Sequence, residues 1–168
     1  ASDVPSAEML RAEDCQLVIS PRPPDATDIL HKRLFTDSYR VFYDPAMRKA
    51  PRTLKAYEAA EHVSVVYQPR RHLDIDMHLE KQGVQRRFAV TLSSFAGIAA
   101  FLQGSTRLAT LPGLLRQGLL RGLADAPTPF DTPAMPMYAV WHLRHQHDPV
   151  HMWLRSHLFK LQNNIGLS

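Results

Sequence analysis

The sequence has almost no cysteine. Cys15 stands alone, so no internal disulfide framework and no cysteine-rich zinc site can form, and a chain built this way fits a reducing, cytoplasmic setting. Long apolar runs are also missing: no window of about eighteen apolar residues exists, which predicts that no helix spans a membrane. The opening Ala1-Ser2-Asp3-Val4-Pro5-Ser6 has neither the charged nor the apolar region of a signal peptide. Charge of one sign is scarce as well. Twenty Lys and Arg against 16 Asp and Glu leave a net charge of only +4, which with 45% hydrophobic residues excludes intrinsic disorder. Glycine is sparse and scattered through Gly104, Gly113, Gly118 and Gly122, without the Gly-x-Gly-x-x-Gly or Gly-Lys-Ser/Thr spacing that cradles phosphates. No Gly-x-Ser-x-Gly elbow is present, and Cys15 follows Glu13-Asp14, which raises rather than lowers a thiol pKa. These absences leave no residues for an enzyme reading, and no cofactor is implied.

What is present is a modest basic excess, spread out along the chain. Residues 1–28 carry six acids and two bases, whereas residues 31–57 carry seven Lys or Arg and two Asp. No helix-turn-helix, zinc-finger or RNP pattern accompanies the basic run, so it is read as solvated surface and not as a DNA-binding element.

Period and punctuation give helices alternating with short apolar strands. A short helix over 6–13 precedes a strand at Gln16–Ile19, stopped by three prolines within Pro21–Pro24. Leu34–Tyr43 reads as extended. Thr53 caps a helix to Ala60, and a strand follows at 63–67. A helix over 75–82 ends at Gly83, a residue suited to a C-cap. Residues 87–92 form a strand, Ser93-Ser94 offer caps, and 95–103 form a helix whose stripe is Phe95, Ile98, Phe101 and Leu102. A strand at 108–111 enters a helix over about 112–121. Residues 124–136, with four prolines, read as a connection to a strand at 137–143, and Asp148-Pro149 opens the last helix. The pattern predicts an α/β fold with mostly parallel sheets covered on both faces.

Ligands of such sheets sit beyond the carboxyl ends of strands, which directs attention to Ser20-Pro21, Pro69–His72, Leu92–Phe95 and Leu111-Pro112. Four histidines, His142, His145, His147 and His151, suggest a metal only superficially. Asp148-Pro149 starts the helix between His147 and His151, so they share no helical face, and the reading is solvated or capping histidines with no metal site. Ser93-Ser94 either cap a helix or, with free N–H groups behind them, hold a small anion. His72 stands at the end of a neighbouring strand, either as a surface histidine beside Arg70-Arg71 or as a cationic partner for that anion.

The order of these segments resembles the effector-binding domain of LysR-type transcriptional regulators. Met9-Leu10-Arg11-Ala12-Glu13-Asp14-Cys15-Gln16-Leu17-Val18-Ile19 is similar to that family's leucine-rich approach to a strand. Leu34-Phe35, Tyr39-Arg40-Val41 and Asp44-Pro45 look like its crossover strand and its usual His-Pro. Ile75 to Gly83, Arg86-Arg87, Val90 to Phe95 and Thr106–Pro112 resemble its second subdomain. Trp141-His142, Asp148-Pro149, His151 and Trp153-Leu154-Arg155 are similar to the closing strand and helix of the nodulation and naphthalene/salicylate regulators. Cys15-Gln16 departs from the usual Leu-Asp, and Asp44-Pro45 from His-Pro.

The resemblance implies two Rossmann-like subdomains of the periplasmic-binding-protein type II kind, residues 1–43 plus 135–168 and residues 44–134. The first lacks its opening strand, helix and strand, so the expectation is a part of a longer regulator. It further implies a small anionic or aromatic effector between the subdomains, touching Ser20 and Pro21 on one side and His72, Ser93, Ser94 and Phe95 on the other. Self-association into dimers or tetramers, and DNA contact only through a helix-turn-helix outside these residues, are implied with it. The alternative is a freestanding or periplasmic solute-binding protein without a transcriptional role.

Overall fold

The computed structural model describes residues 6–67 and 71–164. Among the described residues nine strands appear in chain order: β1 (Leu17–Ser20), β2 (Ile29–Asp37), β3 (Tyr39–Tyr43), β4 (Glu61–Tyr67), β5 (Arg71–His72), β6 (Arg87–Leu92), β7 (Ala109–Pro112), β8 (Ala124–Pro127) and β9 (Met135–His142). Five α-helices accompany them: α1 (Ala7–Arg11), α2 (Leu54–Glu58), α3 (Asp74–Lys81), α4 (Ile98–Leu102) and α5 (Pro149–Asn164). None of these is long and apolar enough to cross a membrane. The chain divides into two compact units, Ala1–Asp37 with Ala134–Ser168, and Ser38–Pro133.

In the first unit β9 lies between β1 and β2 and pairs antiparallel with both. Leu10 of α1 packs with Ile29 and Val140 into a small core. Ser6 caps α1 through Oγ, which accepts from the Met9 N–H at 3.2 Å, and Asp148 caps α5 by accepting from the His151 N–H at 2.6 Å. Ser38 separates β2 from β3, so the segment expected as one extended run over 34–43 is two strands, the second belonging to the other unit.

The second unit carries the larger core, built around Phe42, Tyr57, Val65, Ile75, Ile98 and Leu111. β4 and β6 are parallel, with Val65 opposite Leu92. A parallel bridge from His62 to Leu108 joins β4 to the start of β7, and β3 pairs antiparallel with β7 and β8. The two sheets of this unit have the orders β5-β4-β6 and β7-β3-β8 and are linked by that one bridge, with β5 paired antiparallel to the end of β4. The expected strands at 63–67, 87–92 and 108–111 are present within one or two residues, with one parallel ladder, between β4 and β6, and one isolated parallel bridge, from His62 to Leu108, among them. The expectation of mostly parallel sheets does not hold, because β1, β2, β3, β5, β8 and β9 all pair antiparallel.

Helix caps follow the sequence closely. Thr53 Oγ1 accepts from the Ala56 N–H at 3.2 Å, and Gly83, at φ +74°, ends the turn after α3 in the left-handed region that favours glycine. Three expectations need correction. Residues 95–103 open with a 3₁₀ turn over Phe95–Gly97 before α4; within α4 Ile98 and Leu102, one turn apart, face inward and are buried, while Phe101 lies at the edge of that face and is 38% exposed. The helix expected over 112–121 is a 3₁₀ turn confined to Gly113–Gln117. The connection at 124–136 contains β8, whose Ala-Asp-Ala-Pro composition gives no strand signal; Asp125 there pairs with Arg40 of β3 at 2.6 Å.

Candidate functional site

Parallel pairing of β4 and β6 brings their carboxyl ends side by side. Beyond Leu92 the chain turns through Ser93 and Ser94 into the 3₁₀ turn and α4. At Gly97 a Cβ would approach Leu92 Cδ1 to 3.2 Å, a tight contact that the leucine side chain would have to relieve by a small shift. On the other flank of β4, Val66 pairs with His72 of β5. His72 and Ser93-Ser94 therefore share one end of one sheet, two interstrand spacings apart, about 10 Å.

Ser93 and Ser94 are both exposed. Ser94 also acts as a cap, its Oγ accepting from the Ala96 N–H at 3.3 Å. Phe95 is half-buried against the core of the unit. For His72 the structure describes the backbone, and Pro69 and Arg70 lie outside the described residues.

Ser20 and Pro21 belong to the first unit. Ser20 is buried, and its Oγ donates to the Arg22 carbonyl and accepts from the Arg22 N–H, both at 3.1 Å, which ties the proline loop to the end of β1. Among the described residues no three His, Cys, Asp or Glu side chains are grouped so as to hold a metal ion.

Two polar networks escaped the sequence reading. In the second unit Asp76 of α3 is buried, accepting from Arg86 Nη1 at 2.7 Å and from Ser64 Oγ at 3.0 Å. Nearby the Tyr57 hydroxyl meets Thr110 Oγ1 at 2.7 Å, and burial pushes the Tyr57 phenol up. His62 Nε2 donates to the Tyr57 carbonyl at 3.0 Å, and burial pushes the imidazole down to about 4. One signal was available: Asp76 lies beside Ile75 and Leu79 on the apolar stripe of α3, where a carboxylate must find a partner.

In the first unit the histidines near the end of β9 form a corner. The rings of His145 and His151 stack at 4.9 Å, and Arg155 lies over the Trp141 ring at 4.5 Å. Asp28 accepts from Arg11 Nε at 2.7 Å and from His142 Nε2 at 3.2 Å, and the Arg11 guanidinium holds its carboxyl well below the usual carboxylate range. These histidines are packed and capping side chains.

A two-unit α/β architecture with antiparallel strands flanking parallel ones is the periplasmic-binding-protein type II fold of ligand-sensing regulatory domains. The chain belongs to the LysR substrate binding domain family, whose profile matches residues 5–162. It is 31% identical over 137 residues to the HTH-type transcriptional activator NagR of Ralstonia sp, covering 79% of this chain and 46% of that one. It is 28% identical over 159 residues to nodulation protein D 1 of Sinorhizobium fredii, covering 92% of this chain and 49% of that one. The chain thus spans about half the length of the curated relatives it matches. Among solved structures, the regulatory domain of MexT, a transcriptional activator in Pseudomonas aeruginosa, superposes with a TM-score of 0.78 at 23% identity, over 95% of this chain and 79% of that one.

Proposed function

We propose that this chain is the effector-sensing part of a LysR-type transcriptional regulator, and that it takes a small anionic or aromatic effector at the carboxyl ends of β4 and β6. The family match over residues 5–162 carries the regulatory reading, supported by relatives that are themselves named transcriptional activators. The sheet end supplies the chemistry: two exposed hydroxyls at Ser93 and Ser94, a helical turn behind them, and His72 on the adjacent strand. Hydroxyls and free N–H groups hold a carboxylate through charge-assisted hydrogen bonds, and Phe95 offers an aromatic edge beside them. Ser20 and Pro21 of the first unit remain candidate effector contacts. An effector that favours one conformation shifts its population, which a DNA-binding domain in the same regulator reads out. Self-association into dimers or tetramers belongs to the same proposal, as does DNA contact only through a helix-turn-helix outside these residues.

The test is calorimetric titration with aromatic carboxylates, salicylate and benzoate first, against the wild type, Ser94→Ala and His72→Ala. Binding that weakens about tenfold in Ser94→Ala, and that falls with rising pH only while His72 is present, supports the site. Binding that is unchanged in both variants moves the effector elsewhere and leaves Ser93-Ser94 as a helix cap.

A further inference from the structure

The excess positive charge of the chain is concentrated in one short stretch. Residues 45–57 contain Arg48, Lys49, Arg52 and Lys55 and no acid, a charge equal to the +4 of the whole chain. The carboxylates that flank this stretch are committed to backbone groups. Asp44 accepts from the Ala46 N–H at 2.8 Å and the Gly104 N–H at 2.7 Å, and Glu58 accepts from the Gln85 N–H at 3.0 Å. Lys49, Arg52 and Lys55 are exposed, and their charged side-chain ends have no ion-pair or hydrogen-bond partner among the described residues. Arg48 is fixed in place, donating from Nη1 to the Thr106 carbonyl at 2.7 Å.

Three of these cations, Arg48, Lys49 and Arg52, border a groove of about 680 Å³ on the second unit, and Lys55 lies one residue from its lining Ala56. Arg48, Lys49 and Arg52 line it together with an apolar set, Tyr43, Pro45, Ala50 and Ala56. Met47 and Leu54 lie exposed in the same stretch, at 46% and 39%. Cations alone would suit any polyanion, but an apolar lining gains nothing from a phosphodiester backbone. Apolar area interleaved with unpaired positive charge suits a protein segment carrying acidic side chains between apolar ones.

We propose that the groove bordered by α2 and the Asp44–Thr53 loop is a docking surface for an acidic, amphipathic segment of a partner protein. The apolar side chains of that segment lie on Tyr43, Pro45, Ala50 and Ala56, and its carboxylates face Arg48, Lys49, Arg52 and Lys55. None of these residues belongs to the effector site, so the two readings stand or fall separately.

Fluorescence anisotropy of the whole chain tests this with three labelled probes: a peptide alternating Asp or Glu with Leu and Phe, a length-matched polyglutamate, and a short random-sequence DNA duplex. The amphipathic peptide is expected to bind, with polyglutamate and duplex each at least about tenfold weaker at equal salt. Arg52→Ser combined with Lys55→Ser, both at exposed positions, is expected to weaken peptide binding about tenfold while leaving the thermal melt and effector affinity unchanged. Lys49→Ser provides a second variant with the same expected direction. No binding of the peptide overturns the proposal, as does equal or tighter binding of polyglutamate or duplex, or peptide affinity that is unchanged in the variants.

Discussion

Acidification from about pH 7.5 to about pH 5 is expected to cost this chain roughly 2 kcal/mol of stability through His62 alone. The ring is 1% exposed, sits 4.5 Å from the Tyr57 ring, and uses Nε2–H on the Tyr57 carbonyl. Its Nδ1 is buried with no hydrogen-bond partner among the described residues. Protonation there would place a charge in the core beside the Arg86 and Arg48 cations, and burial sets the folded value at about 4 against 6.5 for a free imidazole. Because the folded value is the lower one, the unfolded chain binds the proton first. His62 therefore costs nothing above about pH 7, and stability drains away as pH falls through 6.5 toward 4. The gap of about 2.5 pH units caps the loss near 3 kcal/mol, of which about 2 is spent by pH 5. Glu13 acts in another window: Arg144 holds its carboxyl below the usual range, so its contribution is present above about pH 4.5 and is lost only below that. Burial pushes His145 down too, in the same direction as His62, but that contribution cancels when two proteins differing only at residue 62 are compared. His62→Gln keeps a donor for the Tyr57 carbonyl and removes the titration. Urea denaturation of both proteins at the two pH values should show the wild type losing about 2 kcal/mol more than the variant. Equal losses would refute the reasoning.

Two further substitutions follow from the second unit. Arg86→Met strands the Asp76 carboxylate with Ser64 as its remaining partner in a site where both charged side chains are under a tenth exposed, and should cost about 3–5 kcal/mol by urea denaturation; replacing Arg86 and Asp76 together by apolar residues should cost less than Arg86→Met alone. Thr53→Ala removes the acceptor for the Ala56 N–H and should cost about 1 kcal/mol, whereas Thr53→Ser should recover most of it.

What was legible in the sequence was local. Thr53, Ser94 and Asp148 each cap the helix or turn they precede, because capping involves residues two or three apart. The strands β4 and β6 show as apolar β-branched runs, and the end of β6 was found at Leu92. Strand partners were not legible: nothing in Tyr39–Tyr43 tells that it pairs antiparallel with Ala109–Pro112 on one side and Ala124–Pro127 on the other, since a strand's own residues do not name its neighbours. Phe101 was not legible because an i, i+3 spacing from Ile98 places it only at the edge of a five-residue helix face, and which side of that face is covered depends on the packing of α4 on its sheet. The candidate site was half legible. Ser93-Ser94 announce a helix start, but the juxtaposition with His72 depends on a two-residue strand hairpinned onto β4, which no composition signals. Ser64, Asp76 and Arg86 are far apart in the chain, and only the packing of α3 on its sheet unites them.

The corner in the first unit carries the last prediction. Helix α5 is turned so that polar side chains face inward: His151 and Arg155 are buried, while Val150 is 76% and Trp153 61% exposed. Its attachment therefore relies on hydrogen bonds more than on apolar burial. Arg155 Nη1 donates to the His145 carbonyl at 2.9 Å and to His151 Nδ1 at 2.7 Å, and Nη2 donates to the Gln146 carbonyl at 2.8 Å. A guanidinium has only donors, so His151 Nδ1 must accept, and the ring proton lies on Nε2, which donates to the Gln16 carbonyl at 3.0 Å. The same logic fixes His142, whose Nδ1 accepts from the Arg144 backbone N–H at 3.1 Å and from its Nε at 3.0 Å while Nε2 faces Asp28. Nitrogen-15 correlation spectra should show the proton on Nε2, with Nδ1 as acceptor, in both rings. Arg155→Lys retains the charge but loses the planar fork and its stacking on Trp141, so it should cost about 2–3 kcal/mol and free His151 Nδ1 to exchange tautomers. A proton on Nδ1 of His151 in the wild type, or a lysine variant of unchanged stability, would show that α5 is held by something other than this fork.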